Sequence, residues 1–116
     1  MTTIIESGEK VHIITRRLFE LDIRRHFAGE VLSVSAGVIR VKGYSYVFDE
    51  WIDQFRRQAE ERVRIFSLLD AGLVINIIPP GSVINDLKYR ITSEGQRIIF
   101  DGSGFSLDIS EFTGKR

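Results

Sequence analysis

Short runs of β-branched and aromatic residues, most of them closed by a glycine-bearing turn, recur along this chain and favour β-structure over helix. The clearest run is "LKYRIT". Leu87, Tyr89 and Ile91 alternate there with Lys88, Arg90 and Thr92, the period of a half-buried antiparallel strand. Residues 11–14, 27–34, 38–48, 62–69 and 73–78 read the same way, and "RIIF" and "FSLDI" follow near the C-terminus. The turns between them fall at 35–37, 70–72, 93–96 and 101–104, with Gly95 free to take a positive φ.

Two segments fit the pattern less well. In residues 16–27, Phe19, Leu21 and Ile23 alternate as in a strand, and we read a strand there. The spacing of Phe19, Ile23 and Phe27 also suits a helix capped by Thr15. Residues 49–62, "DEWIDQFRRQAEER", hold good helix formers but a short apolar core, and are expected to be irregular.

A chain of 116 residues has length for one domain and one core. The adjacent Pro79 and Pro80, followed by Gly81, are its strongest break. The expected fold is mainly β with little helix. A small barrel-like antiparallel sheet spans about 27–78, and a C-terminal meander spans 83–110. Closing or nearly closing such a sheet removes the exposed edges that many short strands create.

Gly43 stands inside the long strand 38–48, where glycine costs about 0.5–1 kcal/mol relative to alanine. A sharp bend, by which one strand serves both sides of a small barrel, accounts for it. With Gly43 in view, residues 31–79 resemble the Sm-like (Lsm) small barrel family. Val31, Val34, Gly37, Gly43, Phe48 and Asp49 follow the order of that family's first motif. Leu69, Gly72, Val74, Ile77 and Pro79 follow its second. The resemblance implies a bent barrel strand and, in the family, a base held by an asparagine and an arginine. Here those positions read Asp53 and Ala71, a carboxylate that repels phosphate and a methyl group that binds nothing. The shape is expected without the usual base pocket.

The candidate binding residues cluster around that strand. Arg40, Lys42, Tyr44 and Tyr46 share one face of a straight strand, with Phe48, and a bend at Gly43 would exchange the faces. Trp51 and Phe55 follow as large apolar groups of the kind that anchor interfaces. Arg24 and Arg25 are candidate phosphate contacts. Two roles compete. One is a non-catalytic module that binds a protein partner or itself through the aromatic-rich face. The other is a barrel that binds single-stranded nucleic acid through interleaved cations and rings. Sixteen basic and sixteen acidic side chains cancel, so nucleic-acid binding would rest on a local patch.

Catalysis, metals and cofactors find little footing. No phosphate loop, nucleophile elbow or zinc-protease motif occurs. His12 and His26 lie fourteen residues apart without a ligand partner at helical spacing, and cysteine is absent. Asp49, Glu50 and Asp53 are read as solvated loop carboxylates. The N-terminal "MTTIIESGEK" lacks the pattern of a secretory signal, and no apolar run approaches bilayer length. A cytoplasmic, non-enzymatic protein without cofactor is the expectation.

Overall fold

The computed structural model describes residues 4–17, 19, 23–70 and 72–110. The backbone divides into two compact units, Met1–Pro80 and Gly81–Arg116, with the boundary in the Pro-Pro-Gly break. Both are antiparallel β-structure, so the mainly-β class is borne out.

The first unit holds β1 (Lys10–Thr15), β2 (Arg25–Ser35), β3 (Val38–Asp49), β4 (Gln54–Arg57), β5 (Arg62–Ser67) and β6 (Leu73–Ile78). β3 pairs along its length with β2, β2 with β1, and β1 with β6. The other side of β3 is shared. Residues 38–43 pair with β5 and residues 46–49 with β4. β5 and β6 therefore lie at opposite ends of the series β5-β3-β2-β1-β6, about 19 Å apart if the sheet were flat. Only residues 68–72 join them. That short link is pinned at both ends, where Leu68 N donates to Gly37 O (2.7 Å) and Arg16 N donates to Gly72 O (2.7 Å). The sheet accordingly curls around one core. Val11, Ile13, Phe27, Val31, Ile39 and Val41 form its centre, and Phe66 of β5 and Leu73 and Ile75 of β6 pack against it from the two ends. The curl stops short of a barrel: among the described residues β5 and β6 do not pair.

Local chemistry sets the corners. Ala36 (φ 50°) and Gly37 (φ 81°) form a two-residue turn with both central φ positive, the hairpin type whose twist matches its strands. Leu32 is a bulge in β2, since Val31 pairs with Val41 and Ser33 with Arg40. The extra residue keeps both Val31 and Val34 on the core side of one strand. Gly43 is directly opposite Gly29. A Cβ on Gly43 would overlap the Ala28 carbonyl oxygen, and one on Gly29 would overlap the Lys42 carbonyl oxygen. Both glycines exist to let two backbones touch.

Two expectations need correction. The strand read at 16–27 begins only at Arg25; residues 16, 17, 19, 23 and 24 are not in a strand, and residues 18 and 20–22 lie outside the described residues. The segment expected to be irregular at 49–62 contains β4, which forms a hairpin with the end of β3. Cross-strand pairing with β3 supplies what local propensity did not.

The second unit carries a single helical turn at Ile84–Asp86 and a meander of β7 (Lys88–Ile91), β8 (Arg97–Phe100) and β9 (Ser106–Asp108) in the order β7-β8-β9. Gly95 (φ 84°) turns the first hairpin. Asp101 organises the second. Its carboxylate accepts from Ser103 N (2.9 Å), Ser103 Oγ (2.9 Å) and Phe105 N (3.1 Å). Those bonds, and one from Ser82, hold its pKa down at about 2.

Candidate functional site

The long strand β3 changes its buried face in the middle. Ile39, Val41 and Gly43 are buried on the core side, and past that point Tyr46 is the buried residue. The row expected to lie together is therefore split. Arg40 and Lys42 are exposed on the outer face, and Lys42 lies 3.9 Å from Glu61. Tyr44 is half-buried, with the Arg57 guanidinium 4.6 Å above its ring. Tyr46 is only 2% exposed and is corrected from contact residue to core residue. Burial raises its hydroxyl pKa, against the opposing charge and hydrogen bond of Arg57. With one half-covered ring beside Arg40 and Lys42, the stacking platform for nucleic-acid bases is smaller than the sequence suggested.

Phe55 is corrected in the same way. It is buried, stacked on His26 (4.1 Å between centroids) and edge-on to Phe48 (5.3 Å). His12 meets His26 edge-on at 4.9 Å. Arg24 lays its guanidinium over Phe48 (4.4 Å) and Phe55 (5.3 Å), an engagement with rings rather than with an outside phosphate. The hairpin of β3 and β4 thus contributes to a second small core on the outer side of the sheet. His12 is fully buried, and desolvation lowers its pKa to about 4, so it is neutral at pH 7. Among the described residues no group of three histidine, cysteine or carboxylate side chains is placed to hold a metal.

Trp51 is where an interface anchor belongs: at the tip of that hairpin, 97% exposed, with Ile52 beside it. The loop is built by its carboxylates. Asp49 accepts from Trp51 N (2.9 Å) and pairs with Arg56 Nε (3.1 Å), and Asp53 sits at φ 53°, a conformation that aspartate tolerates. Asp53 is a turn former, which gives a local reason for a short polar residue at that position. Ala71 lies outside the described residues.

β5 was not singled out from the sequence, and it is inside out. Phe66 faces the core, so Arg62 and Arg64 share its face, while Val63 and Ile65 point outward at 54% and 63% exposure. Arg64 lies opposite Val41 on the core side; Ile65 lies opposite the exposed Arg40. The strict alternation of "RVRIF" was the available signal, but alternation alone does not say which face turns inward. At the other end, β6 turns Leu73 and Ile75 to the core and leaves Val74 and Ile77 about half exposed.

Arg25 begins β2, exposed and paired with Thr15 and Val47. It lines an open groove with Thr15, His26, Phe27, Ser45, Arg64 and Phe66. Among the described residues no helix is long and apolar enough to cross a membrane. No family model, curated protein or solved structure matches this chain, so its function is argued from these surfaces.

Proposed function

We propose that this protein is a non-catalytic assembly module that self-associates edge to edge, β5 of one copy pairing with β6 of the next. The inverted strand carries this reading. Among the described residues β5 is bonded on one side only, all its residues but Phe66 are exposed, and its outward apolar side chains Val63 and Ile65 are more than half exposed. β6 is a second open edge of the same length, six residues, with Val74 and Ile77 exposed. Among the described residues one copy does not pair its own two edges, whereas two copies can. Unpaired edges bearing apolar side chains are strong templates for strand addition. Because the two edges differ, each copy offers one and accepts the other, a geometry that closes into rings or runs on into filaments. A ring is also what the resemblance to Sm-like proteins implies.

Light scattering over a concentration series tests the reading. The wild-type chain is expected to form a defined oligomer, and Ile65→Lys, at an already exposed position, is expected to be monomeric with an unchanged far-UV spectrum. A wild-type chain that stays monomeric up to its solubility limit refutes it.

A further inference from the structure

We propose that the open end of the curled sheet is a binding site for the terminal phosphate of a small organic ligand, held by Arg25 and Arg64. The topology brings these two residues together from distant parts of the chain. β2 and β5 both run antiparallel to β3, so they are parallel to each other. Arg25 stands two residues before Phe27, and Arg64 two residues before Phe66. Each arginine therefore shares the face of its phenylalanine and lies about 6.6 Å along the strand from it. The two rings meet across the interior at 5.5 Å between centroids. Arg25 and Arg64 line one groove with these two rings. Thr15 and Ser45 add hydroxyl groups to the same groove.

The groove's chemistry selects the ligand class. Among the described residues no carboxylate lines it, and neither Arg25 nor Arg64 has an ion-pair partner there. Two like charges on the inner face of a small sheet repel each other, and a bound anion relieves that repulsion. A carboxylate offers two oxygens and satisfies one guanidinium fork. A phosphate monoester offers three, with about twice the charge, and accepts from two forks and a hydroxyl together. The volume, about 190 Å³, is below that of a drug-sized pocket, so it suits a phosphate and the first atoms attached to it rather than a whole nucleotide. The phenylalanine floor favours an apolar or aromatic group at that attachment. The site involves the inner face of β5 and exists in a single copy, so it is independent of edge-to-edge assembly.

Titration of the full chain with phenyl phosphate, followed by amide chemical shifts, tests the assignment. A saturable response centred on Thr15, Arg25, Ser45 and Arg64 is expected. Arg25→Gln and Arg64→Gln should each weaken it about tenfold or more, the usual loss for a charge-assisted hydrogen bond. Arg40→Gln, on the opposite face, should leave it unchanged and the spectra of all three variants should remain folded. A parallel arm uses single-stranded oligonucleotides with and without a 5′-phosphate. Equal binding of both at these four residues would make the groove a nucleic-acid backbone site and overturn the proposal. So would a response to phenyl phosphate that is absent, that fails to saturate, or that survives Arg64→Gln.

Discussion

Replacing Gly43 by alanine should break the sheet where β2 and β3 cross. The added methyl carbon would lie 2.5 Å from Gly29 Cα and 2.7 Å from the Ala28 carbonyl carbon, and would overlap that carbonyl's oxygen. Ordinary carbon contacts begin near 3.5 Å, so the strands must part by roughly 1 Å. Both obstacles are backbone, and no side-chain rotation relieves them. Parting the strands weakens the two nearest ladder hydrogen bonds at about 1 kcal/mol each. Residual overpacking adds about 1–3 kcal/mol. The stiffer unfolded chain returns about 0.5–1 kcal/mol. The net loss is about 3 kcal/mol, against roughly 4–12 kcal/mol for a unit of some eighty residues. With a urea dependence near 1 kcal/mol per molar, the midpoint falls by about 3 M, followed by far-UV circular dichroism. Gly81→Ala is the control, because its Cβ meets nothing within 4 Å and its φ is not positive. Its stability should change by no more than about 1 kcal/mol, and upward if at all. Gly29→Ala should repeat the loss. The double variant should lose less than the sum, since one separation accommodates both methyl groups. A Gly43→Ala midpoint at or above that of the wild type would show that the close approach is not real.

Two further outcomes follow from local geometry and burial. Ala36→Asn should stabilise the first unit by about 0.5–1 kcal/mol in the same urea assay, because alanine at φ 50° is disfavoured and asparagine suits the first position of this turn. A loss of stability would mean that the turn is of another kind. Stability should also fall with acid between pH 6.5 and about 4, because His12 is held neutral in the fold with its pKa near 4, while the unfolded chain takes up the proton from pH 6.5 downward. The contribution is complete above pH 6.5 and diminishes by about 3 kcal/mol on reaching pH 4. His12→Phe should remove most of that slope in urea titrations at several pH values, and an unchanged slope would place the proton elsewhere.

Much of the architecture is legible in single stretches of the chain. "LKYRIT" announces β7, and "SAG" announces the β2–β3 turn. The Pro-Pro-Gly break coincides with the boundary between the two units. β4 was missed because "QFRR" has no alternation of its own and exists through pairing with β3. The candidate contacts fared unevenly. Trp51 is at the surface, as an anchor must be, and Arg40, Lys42 and Arg25 are exposed, while Tyr46 and Phe55 are core and Arg24 lies over Phe48 and Phe55.

The division has one physical cause. Turn chemistry and strand period are properties of a few adjacent residues, so the amino-acid sequence alone determined that this chain is β-rich and where its glycine-bearing turns fall. Which face of a strand is covered is a property of partners far along the chain. Alternation made the two faces of β3 and β5 different. Only the curl of the sheet decided that Tyr46 goes inside, that Val63 and Ile65 stay outside, and that Arg25 and Arg64, 39 positions apart in sequence, line one groove.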